Sequence, residues 1–268
     1  MISVVIPSRN EPYLKKTIET IFANATGEIE VIAVLDGYWI KPDEVVVDDR
    51  VRYIHFAKSR GMRNAINSGV AIAKGDYILK CDAHVIFSKG FDQELVKNCE
   101  YDWVVVPRRY ALDPEKWAIE ERTDTKYPVD YMFLNKELHG EVWTERNAIP
   151  ELKEVMIDDL MSAQGSCWFM KKSYYNWLEL MDEDFYGKFA WEFQEIGFKT
   201  WLSGGKVKVN KNVWYAHWHK TEGRGYSLQQ DPPEITERVN RWRTEKVWHK
   251  QRYNMLYLLD KFPDRPNR

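Results

Sequence analysis

Short apolar runs, each closed by a polar loop and separated by segments of helical spacing, constrain this chain more than any other feature. Ile2-Ser3-Val4-Val5-Ile6 has a buried-strand pattern stopped by Pro7, and Ser8-Arg9-Asn10-Glu11 follows as a polar loop. Leu14, Ile18, Ile21 and Phe22 then share one helix face, with Pro12 suited to a first turn. Ile29 to Leu35 predicts a second strand ending at Asp36-Gly37, and Val51 to Phe56 a third. Ser59 is placed to cap a helix carrying Met62, Ile66, Val70 and Ala73, closed by Gly75. A further strand then ends at Asp82. This grammar predicts an α/β class with a mostly parallel, doubly wound central sheet. Ligands of such sheets sit beyond the C-terminal strand ends, where Arg9, Asn10, Glu11, Asp36, Asp82 and His84 all fall.

Asp82 and His84 are two apart at the end of an extended run and project together. One carboxylate oxygen and one imidazole nitrogen suit a borderline divalent cation such as Mn²⁺. An isolated Asp-x-His is as readily a capping Asp beside an exposed His, so the motif takes its weight from the other strand-end residues.

The 268 residues and 44% hydrophobic content allow one large domain. Net charge is -2 but uneven: residues 205–268 carry 14 Lys+Arg against 7 Asp+Glu, leaving the rest of the chain at -9. A basic C-terminal part suggests an anionic partner: a nucleotide diphosphate, a nucleic acid backbone or a lipid headgroup. Cys81, Cys99 and Cys167 lack metal-type spacing and read as free thiols. With no basic-then-apolar leader and no apolar run of spanning length, the expectation is a protein of a reducing cytoplasm without a membrane span.

Downstream, Trp103 to Val106 predicts a strand, residues 108–160 an irregular insertion, and Gln164 to Met170 a small-residue loop entering a strand. A helix is expected near 190–202, then Gly204-Gly205 and two short strands at Val207–Val209 and Val213–Ala216. Gly223-Arg224-Gly225-Tyr226 reads as a lid loop. Asp231-Pro232-Pro233-Glu234 reads as a capped helix start, leading a helix with Ile235, Val239 and Trp242 on its apolar stripe and Arg238, Arg241, Arg243, Lys246, Lys250 and Arg252 on its flanks. The division expected is 1–230 for the main domain and 231–268 for a basic helical extension packed on it.

Val4 to Glu11, the strand ending at Asp36, Gly61-Met62-Arg63-Asn64, and Lys74-Gly75-Asp76 leading to Asp82-Ala83-His84 resemble GT-A glycosyltransferases of the family-2 type. The Asp-Ala-His ending is most similar to the polypeptide N-acetylgalactosaminyltransferases. Glu192 to Gly205 resembles their Glu-containing helix followed by Gly-Gly, and Tyr215-Ala216-His217 the strand end bearing their third metal ligand. The resemblance covers residues 1–90 and 160–230. It implies a GT-A, Rossmann-like nucleotide-sugar fold and a Mn²⁺ (or Mg²⁺) held by Asp82, His84 and His217, with His219 as a substitute. It also implies a UDP-sugar donor contacted by Pro7, Arg9, Glu11, Asp36 and Arg63. Many family members carry two acidic residues where this chain has Leu35-Asp36, which leaves the contact made by Asp36 open. Lys220 and Arg224, with Tyr226 on the same loop, are placed to meet the departing diphosphate. Inverting members place Glu-Asp where this chain has Glu192-Phe193, so no second carboxylate is present as base. That departure favours retention of configuration, and leaves Glu192 to contact sugar or acceptor or to act as base itself.

The expected activity is metal-dependent sugar transfer from a UDP-sugar to a hydroxyl of a saccharide, a protein or a hydroxylated DNA base. DNA is considered because the C-terminal segment is basic and rich in tryptophan. By analogy the chain suits a small bacterial or phage-type enzyme, in the latter case working in the host cytoplasm. The competing readings are a non-catalytic GT-A-like protein binding nucleotide or nucleic acid, and a nucleotidyltransferase. The second would call for a glycine-rich phosphate loop near the N-terminus, which this sequence lacks.

Overall fold

The first six segments do form strands and helices in the computed structural model, which describes residues 1–121, 127–220 and 232–266. They are β1 (Ile2–Ser8), α1 (Leu14–Asn24), β2 (Ile29–Asp36), β3 (Val51–Phe56), α2 (Met62–Ile72) and β4 (Tyr77–Cys81). Next come β5 (Val85–Phe87), α3 (Phe91–Lys97), β6 (Trp103–Asp113), β7 (Ala118–Ile119), β8 (Met132–Leu134) and β9 (Gly140–Val142). Then follow α4 (Thr144–Ala148), α5 (Pro150–Lys153), β10 (Ile157–Asp159), β11 (Cys167–Lys171), α6 (Lys172–Leu178) and α7 (Glu183–Tyr186). The chain closes with α8 (Glu192–Ser203), β12 (Lys206–His217), α9 (Pro233–Asn240) and α10 (Met255–Lys261).

The central sheet runs β10-β12-β6-β11-β4-β1-β2-β3, with β5 added on β12 and β7 on β6. Its β4-β1-β2-β3 half is parallel; β1, β2 and β4 are near-continuous apolar strands buried on both faces, whereas the edge strand β3 is half-buried. Beyond β4 the sheet is mixed, because β11 lies antiparallel between β4 and β6. Alternation along β1 divides the core. Val4 and Ile6 join Leu14, Ile18, Phe91 and Leu95 on one face, while Val5 joins Ala65, Ile66 and Val70 on the other.

Several local expectations are corrected. Ser59 does not cap α2, which starts after Gly61; its hydroxyl donates to Asp36 instead. Gly75 does not close α2, which ends at Ile72. A Cβ at 75 would lie 2.7 Å from the Ser3 nitrogen and 2.8 Å from the Met1 carbonyl, so glycine lets the chain pass against β1. The two short strands expected after Gly205 are one strand, β12, whose pairing with β6 shifts register between Asn210 and Trp214. The 108–160 insertion is more ordered than its composition suggests: it extends β6, forms the β8–β9 hairpin and supplies β10.

The C-terminal segment is also not one basic helix. It is α9, a single 3₁₀ turn at Arg241–Arg243, an irregular stretch and α10. Its aromatics enter the core, with Trp242 against Phe198, Trp248 against Trp177 and Phe262 against Trp201. Among the described residues, no helix is long and apolar enough to cross a membrane.

Candidate active site

The loops after β1, β2 and β4 and the end of β12 surround a cleft of about 860 Å³. Pro7, Arg9, Glu11, Asp36, Asp82, His84, His217 and Lys220 all line it, as does His219. Position explains the grouping. β1, β2 and β4 are parallel neighbours, so their C-terminal ends open on one edge. β12 reaches the same edge by pairing with β5 just beyond β4, His217 opposite Val85.

Asp82, His84 and His217 offer one ligand atom each, all within 4.8 Å of one another. His217 Nε2 lies 3.1 Å from both Asp82 Oδ2 and His84 Nε2. Glu11 sets the His84 tautomer. Its carboxylate only accepts, so His84 Nδ1, 2.9 Å away, carries the proton and Nε2 keeps its lone pair. Burial lowers the His217 pKa to about 4; the bond to Asp82 pulls the other way and the neighbouring His84 adds to the fall. The ring is therefore neutral at neutral pH, the form that binds metal. Its Nδ1 is buried with no hydrogen-bond partner among the described residues. Without a cation, the His217 Nε2–H is the donor to Asp82; with a cation bound the ring proton would move to Nδ1, and Asp82, His84 and His217 would then offer three lone pairs suited to a borderline divalent ion.

Behind Asp82 stands Lys80, which the sequence reading missed. The two share a strand face, and the Lys80 ammonium bonds Asp82 Oδ1 at 2.8 Å and the Gly165 carbonyl at 2.6 Å. Burial favours a protonated Asp82, but Lys80 and the His217 bond outweigh it and hold the carboxyl well below the carboxylate range. Lys80 also pairs with Glu192 at 3.1 Å. The only sequence signal for this was a lysine inside an otherwise apolar strand.

Other expected residues lie differently. Glu192 does not line the cleft. It is 8% exposed and packed against Gly165, where any Cβ would collide with its carboxylate. It accepts from Trp168 Nε1 at 2.8 Å, and burial raises its pKa despite Lys80. Arg63 does not line the cleft either. It is fully buried, bonded to Glu195 and, at 2.7 Å, to the Ala190 carbonyl, and so ties α2 to α8. The reason is packing: Met181, the Ala190 carbonyl and Glu195 at the start of α8 close over the guanidinium. Asp36 reaches the cleft, but its carboxylate holds the loop after β3 through Ser59 Oγ, Arg60 N and Gly61 N. His219 is exposed, its ring edge-on to His217 at 4.6 Å, and stands outside the ligand cluster. Lys220 bonds Glu11 across the cleft. Gly223, Arg224, Gly225, Tyr226 and Asp231 lie outside the described residues.

A solved structure of GalNAc-T7 with UDP, GalNAc and Mn²⁺ superposes on 98% of this chain, with a TM-score of 0.75, 15% identity and 56% of that chain covered. At that identity the likeness is one of fold, the GT-A fold. Sequence relatives include an uncharacterized glycosyltransferase of Bacillus subtilis, EpsJ, 30% identical over 37% of this chain and 30% of its own length. Glycosyltransferase GlyG of Streptococcus pneumoniae is 32% identical over 37% of this chain and 35% of its own. The match thus spans about a third of these curated relatives. A broader match runs over residues 3–178, from β1 to the end of α6, to the family described as Glycosyl transferase family 2, and it is to this family that the chain belongs.

Proposed function

We propose that the chain transfers a sugar from a UDP-sugar to a hydroxyl acceptor with the help of a divalent cation, Mn²⁺ or Mg²⁺. The observation that carries this reading is the convergence of Asp82, His84 and His217 at the mouth of a cleft built by family-2 strand ends. The fold neighbour solved with UDP, GalNAc and Mn²⁺ supports the choice of donor and metal. A cation bound there supplies charge neutralisation as the diphosphate leaves the anomeric carbon. Glu11 orients His84, and Lys80 holds Asp82 Oδ1 so that Oδ2 faces the histidines. Lys220 and Arg9, both on the cleft wall, meet the anionic donor. Glu192, one layer back, positions Lys80 rather than touching substrate.

A saccharide or protein hydroxyl suits the structure better than DNA. Four of the six basic C-terminal residues are engaged within the protein: Arg238 on the Asp184 carbonyl, Arg243 on the Lys136 carbonyl, Arg241 on Glu245 and Lys250 on Glu179. Three free, buried cysteines suit a reducing compartment such as the cytoplasm.

Calorimetry with Mn²⁺ and UDP, followed by hydrolysis of a UDP-sugar panel, tests the reading. Asp82→Ala and His217→Ala should abolish Mn²⁺ binding and hydrolysis with the circular dichroism unchanged, whereas His219→Ala should retain most of both. Full hydrolysis in EDTA would end the metal-dependent reading. UDP binding with no turnover of any donor would favour a non-catalytic nucleotide-binding protein.

A further inference from the structure

Arg109 is a buried cation with no carboxylate partner among the described residues. It stands on β6 with 5% of its surface exposed. Its guanidinium bonds the Gln164 side-chain oxygen and, at 3.8 Å, the Met132 sulfur. Asp130, which lines the same small cavity, is taken by Arg108 through two bonds of 2.7 Å. A charge withdrawn from water without a counter-ion is costly, and buried charges are ordinarily paired.

The same contact fixes Gln164. Guanidinium groups only donate, so the amide atom facing Arg109 is the oxygen, and an orientation often open to a flip is settled. Ser166 Oγ donates to that oxygen too, at 3.2 Å, and is itself held by the Tyr215 hydroxyl at 2.8 Å. With both lone pairs of the oxygen occupied, the amide nitrogen is the free end. It has no protein acceptor among the described residues, and Gln164 lines the main cleft as well as the small cavity at Arg109. The loop is fastened to the metal cluster: the Ser166 carbonyl takes the Asp82 N–H at 2.9 Å.

We infer that Gln164 is a specificity-determining residue that reads a carboxylate on the substrate, carried by the transferred sugar or by the acceptor, with Arg109 as the positioning residue behind it. The inference rests on the UDP-sugar reading for the place of the substrate in the cleft. A sugar hydroxyl donates as readily as it accepts and satisfies either end of an amide. A carboxylate only accepts, matches the fixed N–H, and brings the negative charge that Arg109 lacks.

UDP-glucose and UDP-glucuronate form a matched pair, differing only in a hydroxymethyl against a carboxylate. Each, and UDP alone, is titrated with Mn²⁺ into the wild type, Gln164→Glu and Arg109→Lys. Gln164→Glu keeps an oxygen on Arg109, which protects the fold, and turns the free amide donor into an acceptor. The wild type should favour the acidic donor by about 10- to 100-fold, the worth of one hydrogen bond to a charged group. Gln164→Glu should erase or reverse that ratio and Arg109→Lys narrow it, with UDP bound alike by all three. If the wild type shows no donor preference, transfer to uronic-acid and to neutral glycoside acceptors is compared. A preference for the acidic acceptor that Gln164→Glu abolishes places the carboxylate there. No preference in either arm, or an equal loss of every ligand including UDP in the variants, overturns the inference. A wild type that binds no UDP removes the donor reading itself, and this inference with it.

Discussion

Glu11 is the residue on which the chemistry of the cleft turns, because one carboxylate serves both His84 and Lys220. Partners of metal-binding histidines fix the ring and raise its basicity, and losing one typically costs about 10- to 100-fold in metal affinity. Glu11→Gln should therefore weaken Mn²⁺ binding by about that factor in an electron-paramagnetic-resonance titration, with thermal stability little changed. Unaltered affinity would detach Glu11 from the site. Glu11 was legible from the sequence because it follows a strand, but its partner was not. His84 stands 73 positions away, and only the parallel pairing of β1 with β4 brings them together. Lys80 was hidden for the same reason. Its ammonium acquires a purpose when β11 lies against β4 and delivers Gly165, with Glu192 behind.

Among the elements, those with strong local signals were readable. β1, β2, β3 and β4 are apolar runs bounded by polar loops, and α8 ends at Gly204, whose φ of +99° favours glycine. β5 and α3 were missed: at three and seven residues they carry too little periodicity to register. Arg63 was misplaced because helix spacing reveals a face but not what covers it. The buried Arg63–Glu195 pair makes a stability prediction. Arg63→Ala leaves the buried Glu195 with Lys199 as its remaining cation, so the cost in urea unfolding should be about 1.5–3 kcal/mol, the worth of hydrogen bonds to a charged group. A loss confined to UDP affinity, with stability intact, would return Arg63 to the nucleotide site. The C-terminal segment behaves as core by the same logic. Trp242 is 1% exposed, and Trp242→Ala should cost about 3–5 kcal/mol. A near-neutral effect would make the segment a separable appendage.

Over the whole molecule, carboxylates clamp elements distant in sequence, and this predicts the acid limb of stability. Burial pushes the Asp159 carboxyl up, but Lys208 and Lys261 outweigh it and hold the pKa below its ordinary value. That joins β10 to β12 and to α10. Glu30 is lowered likewise, burial again opposed, here by Ser3, the Lys74 N–H and Arg52. A depressed folded pKa contributes stability above the unfolded value and loses it as pH falls through the folded one. The urea midpoint should thus hold steady near neutrality and fall below about pH 4, and Asp159→Asn should flatten part of that fall. An acid limb identical in Asp159→Asn and wild type would exclude the clamp.

The position of β12 has a kinetic consequence. His217 stands 133 residues after His84, on a strand that can join the sheet only once β6 is in place to receive it. Contacts so far apart in the chain close late in folding. A nascent chain emerging from the ribosome therefore displays Asp82 and His84 long before the third ligand exists. The complete cluster appears only when the chain has been made and folded past residue 217, so under the proposed metal reading Mn²⁺ binding should be absent from chains arrested before that residue and present in chains arrested well after it.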